Sequence, residues 1–183
     1  GDYKQSSITP KIGLTYQLIP KTVTFFGNYM SGFQNIAPTS SNGILYNFKP
    51  QYGSQWESGI KIAVPNNVLD LTLSYYAINV RNTVTTKYLQ RGKQYSRGVE
   101  LDVQTEPLQN LFLHVGTAYN NSKITVGDAA VQGLRPVNAG PKWSATWYAS
   151  YEMPVDKVSK WNIGFGGNYV GQDLIINSTN AGS

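Results

Sequence analysis

The chain has 183 residues, no cysteine, one histidine, 18 glycines and a formal net charge of +5. The lack of cysteine excludes thiolate chemistry, disulfides and cysteine-rich metal sites. No apolar run approaches the roughly 20 residues that a membrane helix requires, so a helical membrane protein is excluded, and the length suits one all-β unit. The polar start, residues 1–13, lacks the apolar core of a signal peptide, so we expect a mature or internal segment.

The first half of the chain predicts two hairpins. Apolar side chains recur at every second position in four segments, which is the period of a half-buried strand and not of a helix. These strands are expected at 8–18, 22–30, 54–64 and 69–77. Tight turns at 19–21 and 65–67 join them in pairs. Residues 31–53 contain two prolines and three glycines without a sustained period, so we expect a long loop there.

The second half repeats this organisation. Val99, Leu101 and Val103 alternate with polar residues, and the same alternation returns after a break at 106–110 that contains a proline. The four strands are expected within 94–105, 111–120, 143–153 and 161–169. Long irregular connections are expected at 82–95 and 121–141, and a short turn at 154–160. Short and long connections therefore alternate along all eight predicted strands.

The alternation of short and long connections distinguishes the two ends of the predicted sheet. In an antiparallel meander all short turns lie at one end and all long loops at the other, which is typical of outer-membrane barrels. The predicted strands, about 9 to 13 residues long, also match the length that crosses a bilayer at a tilt. The sequence therefore predicts an all-β protein, the antiparallel up-and-down wall of a transmembrane β-barrel.

Aromatic residues support a membrane position, because they gather near strand ends on the apolar face, as an interfacial belt requires. They are Tyr16, Tyr29, Trp56, Tyr75, Tyr119, Trp143, Tyr151, Trp161 and Tyr169. The alternative is a soluble β-sandwich or a lipocalin-like barrel, in which the same rings form the core.

Five segments, in this order, resemble the strands of one family. They are FKPQYGSQWESGIKI at 48–62, LTLSYYAINVRNTVTT at 71–86, SRGVEL at 96–101, RPVNAGPKWSATWYASYEM at 135–153 and GFGGNYVG at 164–171. The set resembles TonB-dependent outer-membrane receptors, above all their siderophore-receptor branch, over nearly the whole chain. The resemblance implies that residues 1–183 are part of one receptor β-barrel domain, with no second domain. It implies eight strands of a 22-stranded barrel, with the plug domain, TonB box and last strands absent.

The resemblance also implies a function. Such a receptor is an active transporter of the bacterial outer membrane that binds a ferric siderophore or similar nutrient chelate at extracellular loops. It imports the chelate with energy that TonB delivers through the plug, and it is surrounded by outer-membrane lipid and lipopolysaccharide. A passive porin, an outer-membrane enzyme and a soluble carbohydrate-binding β domain remain alternatives. Haem, cobalamin or an oligosaccharide would use the same wall.

The long loops hold the candidate ligand-binding residues, because aromatic rings beside cations suit a bulky and often anionic chelate. The candidates are Phe33, Tyr46, Phe48, Tyr52, Tyr88, Arg91, Lys93, Tyr95 and Arg135. Lys49 and Lys87 add charge to the same loops. The alternatives are that the cations meet lipopolysaccharide phosphates and that the rings pack on one another.

No catalytic residue, metal site or cofactor is predicted. His114 stands alone, because no serine or aspartate is spaced to complete a triad with it. Glu100 and Asp102 share a face and are interpreted as wall residues that hydrogen-bond to a plug or to lumen water. The glycines at 164–167 lie inside an alternating strand, so they form no phosphate loop. The cations fall in separate loops, so we expect no nucleic-acid partner.

Overall fold

The computed structural model describes residues 8–65, 68–84, 89–136, 139–156 and 159–171, and this part is built from strands. The strands are β1 (Lys11–Ile19), β2 (Val23–Gln34), β3 (Thr39–Ser41), β4 (Ile44–Tyr46), β5 (Gln51–Val64), β6 (Leu69–Thr83), β7 (Gly92–Leu108), β8 (Leu111–Val126), β9 (Trp143–Pro154) and β10 (Lys160–Val170). Within these ranges there is no helix that could cross a membrane.

Eight strands form one antiparallel sheet in the order β1-β2-β5-β6-β7-β8-β9-β10, and β3 pairs only with β4. The predicted all-β, eight-strand meander is confirmed. The sheet is open in this chain, with β1 and β10 at its two edges. Short connections join the strands at 20–22, 65–68, 109–110 and 155–159. The long connections are named the first loop (35–50), the second loop (84–91) and the third loop (127–142); residues 66–67, 85–88, 137–138 and 157–158 in these connections lie outside the described ranges. The predicted separation of a short-turn end from a long-loop end therefore holds.

The predicted loop at 31–53 is wrong in its extent. β2 continues to Gln34 and β5 begins at Gln51, so that Phe33 and Tyr52 face each other as ladder partners. Serine and glycine occupy these strand extensions, and they carry no hydrophobic period. The first loop also contains the small hairpin β3–β4, whose turn residues Asn42 and Gly43 have φ values of 50° and 75°. Asn-Gly is a strong signal for a two-residue hairpin turn, so this hairpin was visible in the sequence.

The boundaries of β7 and β8 also differ from the prediction. β7 begins at Gly92, so Lys93 and Tyr95 are strand residues and not loop residues, and β8 continues to Val126. Pro107, predicted to end the strand, lies inside it at a register shift between Thr105 and Leu108. A bulge tolerates proline because the residue there donates no ladder hydrogen bond.

The sheet has an apolar face and a polar face. The apolar face carries Ile12, Trp56 and Phe165, which are 71%, 61% and 64% exposed. Phe48 is the one buried hydrophobic residue in the described ranges, so the sheet encloses no core of its own. An apolar face this exposed is typical of the side of a membrane barrel that faces lipid.

Ring pairs of the predicted aromatic belt meet across strands on the apolar face. The ring centroids of Tyr29 and Trp56 are 4.8 Å apart, and those of Tyr119 and Trp143 are 4.6 Å apart. Both pairs are direct ladder partners, β2 with β5 and β8 with β9. Tilted aromatic pairs at such distances stabilise a sheet beyond the area that they bury.

On the polar face, large rings lie over glycines of the next strand. Phe26 is the ladder partner of Gly59, and Tyr76 is the partner of Gly98. A Cβ atom added to Gly98 would lie 2.5 Å from the Tyr76 hydroxyl oxygen, and one added to Gly59 would lie 2.6 Å from Cζ of Phe26. The missing side chain is therefore the space that each ring occupies.

We expect Gly98→Ala to destabilise the intact protein by about 1–3 kcal/mol, because the new methyl group displaces the Tyr76 ring and presses on the β8 backbone. Denaturant unfolding in detergent micelles measures this effect. Gly53→Ala is the matched control, because nothing lies within 4 Å of its added Cβ. Equal stability of the two variants would contradict the packing role of Gly98.

Candidate functional site

The candidate site is a recess of about 410 Å³ on the polar face near the long-loop end. Its wall comes from β5, β6, β7 and β8, and its roof comes from the third loop through Pro136 and Ala139. The wall side chains are amides, hydroxyls and carboxylates, chiefly Gln55, Glu57, Gln94, Ser96, Glu100 and Asn120. A volume of this size suits a small molecule or a part of one.

The ladder register places these side chains together. Glu57 is paired with Tyr76, Tyr76 with Gly98, and Gly98 with Asn120, so one row crosses four strands. Side chains two residues apart on a strand share a face, which brings Gln55 and Ser96 to the same side as that row. Because Gly98 has no side chain, the Tyr76 ring occupies the space above it in this row.

A hydroxyl and amide cluster ties β7 to β8 at the edge of the recess. Ser122 Oγ lies 2.6 Å from Asn120 Oδ1 and 2.9 Å from Ser96 Oγ. Ser96 Oγ is also 3.1 Å from Asn120 Oδ1. Ser122 is only 4% exposed, so these bonds satisfy a buried hydroxyl that would otherwise be costly.

The third loop is held down on the polar face. Asn120 Nδ2 donates to the Ala139 carbonyl oxygen at 2.9 Å. Arg135 Nη1 donates to the Asn120 carbonyl oxygen at 2.9 Å, and Arg135 Nη2 donates to the Gly140 carbonyl oxygen at 2.7 Å. Gly140 has a φ of 72°, which a glycine adopts without strain. Arg135, a predicted ligand contact, thus fastens the roof of the recess.

The first and second loops are clamped together by Gln90. Its Oε1 accepts from the Lys49 amide at 2.6 Å, and its Nε2 donates to the Lys49 carbonyl and, at 3.2 Å, to the Asn82 carbonyl. Asn82 Nδ2 donates to the Pro50 carbonyl at 3.3 Å. Asn82 sits at a register shift of β6 with a φ of 62°. A side-chain amide thus bonds to both backbone groups of Lys49 as a ladder residue would.

The nine predicted ligand-binding residues do not converge on one site. Phe33, Tyr52, Lys93 and Tyr95 belong to strands, Tyr46 belongs to β4, Phe48 is buried, Arg91 is exposed in the second loop, and Arg135 holds the third loop. Tyr88 and the neighbouring Lys87 lie outside the described residues. Tyr95 borders the recess, but its ring lies 5.0 Å from the Arg97 guanidinium on the apolar side of β7. Their ligand contacts remain a prediction.

Sequence reasoning missed the wall residues of the recess. Gln55, Gln94 and Asn120 occupy ordinary polar positions of alternating strands, so nothing in their pattern separates them from other wall residues. The available signal was their position, within a few residues of the long-loop end on the polar face.

A second polar group lies nearer the short turns. His114 Nε2 and Asp102 Oδ2 are 2.7 Å apart, and Gln104 Nε2 is 3.5 Å from Asp102 Oδ1. The sequence interpretation gave Asp102 no partner within the wall, so His114 is an addition from the structure. In the part of the chain that the structure describes, no three His, Asp or Glu side chains come together as a metal site.

Comparison with known proteins identifies relatives of the whole chain. The family model described as TonB dependent receptor-like, beta-barrel matches residues 1–183. The chain is similar to the metal-pseudopaline receptor CntO of Pseudomonas aeruginosa, with 28% identity over 174 residues, covering 92% of this chain and 24% of the receptor. It is similar to the ferrioxamine B receptor of Salmonella typhimurium, with 25% identity over 92% of this chain and 24% of the receptor. The chain thus spans about a quarter of the length of these relatives.

Solved structures share the fold. The ferric yersiniabactin uptake receptor FyuA of Yersinia pestis matches with a TM-score of 0.74 and 14% identity, covering 88% of this chain and 25% of that chain. The pyoverdine outer membrane receptor FpvA of Pseudomonas aeruginosa, bound to pyoverdine, matches with a TM-score of 0.69 and 20% identity, covering 89% and 25%.

We expect Arg135→Gln to release the third loop, because the Arg135 guanidinium donates to the Asn120 carbonyl oxygen on β8 and to the Gly140 carbonyl oxygen within the loop. Loss of these bonds should raise amide exchange in residues 128–136 roughly tenfold. Hydrogen exchange measured by mass spectrometry on the intact protein gives the rate. Gln132→Ala, at an exposed position of the same loop, is the control, and equal exchange in both variants would show that Arg135 does not hold the loop.

Proposed function

Because the chain belongs to the TonB dependent receptor-like β-barrel family, we propose that it forms part of the wall of an active outer-membrane transporter. Proteins of this family are receptors and transporters of the outer membrane and not enzymes. The proposed transporter binds a scarce nutrient, a ferric siderophore or similar chelate, at the long-loop end. It imports the nutrient with energy that TonB delivers through a plug domain.

The observation that supports this proposal is the roofed recess on the polar face. Three long connections lie at one end of the wall, and one of them folds over the polar face to cover part of an open recess of about 410 Å³. Binding residues commonly lie on irregular segments that a rigid scaffold positions. A nutrient entering from the long-loop end would reach this recess before the part of the polar face nearer the short turns.

The chemistry of the recess differs from the expectation for an anionic ligand. No described candidate cation lines it. Its polar lining includes the amides of Gln55, Gln94 and Asn120, the Ser96 hydroxyl and the carboxylates of Glu57 and Glu100. Amides both donate and accept hydrogen bonds, so they suit the carbonyl and hydroxyl groups at the periphery of a metal chelate. The proposed contact is therefore hydrogen bonding and not Coulomb attraction.

The proposed orientation puts the long loops outside the cell and the short turns in the periplasm. The polar face then lines the lumen, where a plug domain would sit, and the apolar face meets outer-membrane lipid and lipopolysaccharide. Glu57, Glu100 and Asp102 project toward the lumen in this arrangement, and Trp56 and Trp143 project toward lipid.

We expect Gln55→Ala/Gln94→Ala in the full-length receptor to raise the KM of uptake roughly tenfold, because two ligand hydrogen bonds are lost. Uptake of radioactive iron as ferric ferrioxamine B, and of metal pseudopaline, is measured in cells with and without TonB. Ser58→Ala/Val99→Ala, on the opposite face of the same strands, should leave uptake unchanged.

Two results would contradict the transport proposal. Uptake that persists without TonB would indicate a passive porin. An unchanged KM in the Gln55/Gln94 variant, with the substrate taken up normally, would show that the recess does not bind the nutrient.

Single cysteines test the orientation, since the chain has none of its own. We expect Ser40→Cys, in the exposed hairpin of the first loop, to react with a membrane-impermeant maleimide on whole cells. Gln109→Cys, in the β7–β8 turn, should react only after the outer membrane is permeabilised. The reverse pattern would mean that the short turns face outward.

A further inference from the structure

The alternation of apolar and polar side chains inverts at the outer end of β6. As far as Ser74 the polar face of this strand carries polar residues, but beyond Ala77 the same face carries Ile78 and Val80, and the polar residues at 79 and 81 face the other way. Ala77 is the ladder partner of Trp56, a ring of the aromatic belt. Such belts mark the boundary between hydrocarbon and head groups. In the proposed membrane position the inversion therefore begins where the strand leaves the hydrocarbon layer, so these two aliphatic side chains do not serve to meet lipid.

The two aliphatic side chains belong to a surface that is larger than the roofed recess. Ile78 and Val80 are half-buried and line that recess. A second recess of about 430 Å³ adjoins it on the polar face, and Gln55 and Ile78 line both. The two recesses together are named the trough, and its lining on β2, β5, β6 and β7 includes Met30, Gly53, Gln55, Ile78, Val80 and Gln94.

The floor of the trough is open at two glycines. Gly53 of β5 is the ladder partner of Gly32 on β2 and of Val80 on β6. Nothing from elsewhere in the described chain lies within 4 Å of a Cβ atom added to either glycine, whereas rings occupy the corresponding space at Gly59 and Gly98. The space beside Val80 is therefore left free by the described residues and is wide enough for a ligand group.

Hydrocarbon groups and hydrogen-bonding groups alternate across the trough. One row of successive ladder partners on β2, β5, β6 and β7 consists of Met30, Gln55, Ile78 and Ser96. Neighbouring strands are about 4.8 Å apart, so groups of the same kind repeat roughly every 10 Å along the row. In the next row outward, Val80 is the partner of Gln94. The surface therefore matches a chain in which amide-like groups alternate with short hydrocarbon segments.

We propose that the trough binds a metal chelate whose organic part is a linear chain of amide or hydroxamate groups joined by methylene segments, and that Ile78 and Val80 select for those segments. This inference rests on the proposed function and names the substrate class of its site. The amides of Gln55 and Gln94 hydrogen-bond to the carbonyl groups of the chelate, and the aliphatic side chains cover its methylene groups. An aromatic periphery would require rings to stack on, and the row from Met30 to Ser96 contains none.

The first test is equilibrium binding of defined chelates to the purified full-length receptor in detergent. The probes are a linear ferric trihydroxamate with pentamethylene spacers, its analogue with trimethylene spacers, and a ferric tricatecholate. Each methylene group that the trough buries should tighten binding about fourfold. The pentamethylene chelate should therefore bind at least about tenfold more tightly than the trimethylene analogue, and more tightly than the tricatecholate.

The second test assigns the selectivity to named residues. Ile78→Thr/Val80→Thr keeps the β-branched shape that suits a strand but removes hydrocarbon, so the pentamethylene chelate should bind roughly tenfold more weakly and the trimethylene chelate within about threefold of the native value. Asn79→Thr/Arg81→Thr, at the interleaved positions of the same strand, is the matched control and should bind both as the native receptor does. Gly53→Val fills the open floor and should weaken the pentamethylene chelate at least about tenfold, with unchanged denaturant unfolding.

Three results would overturn the inference. They are equal binding of the two spacer lengths by the native receptor, tighter binding of the tricatecholate, and equal losses for both trihydroxamates in the Ile78/Val80 variant. Uptake of each chelate is measured separately in cells with and without TonB. TonB-dependent uptake of the tricatecholate alone would uphold the transporter and reject the substrate class, whereas spacer-dependent binding without TonB-dependent uptake would uphold the trough and reject active transport.

Discussion

The structure depends on the hydrogen-bond ladder between neighbouring strands. A membrane interior offers no water to backbone N–H and C=O groups, so each must find a partner in the protein. The six inner strands of the sheet, β2 and β5 to β9, meet this requirement on both sides, through registers that continue for most of each strand. The sheet contains no enclosed core in its described ranges, so cohesion comes from the ladder and from side-chain pairs along it. Among the described residues, β1 and β10 each have one side that pairs with no strand.

Much of this fold could be predicted from the sequence, because the information is local. The two-residue period of Val99, Leu101 and Val103 determines strand type and face, and connection length determines which end each turn occupies. The strand ends could not be predicted in the same way. Gly32 and Gly53, at the outer ends of β2 and β5, have no apolar side chain to mark a period, and they are held in the sheet by register alone. Pro107 predicted a strand end that is not there, because a bulge in β7 accommodates a proline inside the strand.

The candidate site was harder to predict than the fold. A long loop rich in aromatic and basic residues predicts recognition, but sequence does not tell whether such a side chain points at a ligand, supports a turn or faces the membrane. Arg135 holds a carbonyl network, and Lys93 and Tyr95 continue a strand on the apolar side. The wall residues of the recess come from strands that are distant in sequence, so only the register brings Gln55 near Ser96 and Asn120.

The rings that lie over glycines determine how far the polar face projects from the sheet. A tyrosine or phenylalanine that stood upright on the polar face would project several ångströms into the lumen, whereas Phe26 and Tyr76 lie flat in the gaps left by Gly59 and Gly98. These two rings therefore project less far from the sheet than they would if glycine were absent from the neighbouring strand. In the proposed transporter, the cargo and the plug would share that clearance, so these glycines would influence the width of the channel as well as the stability of the sheet.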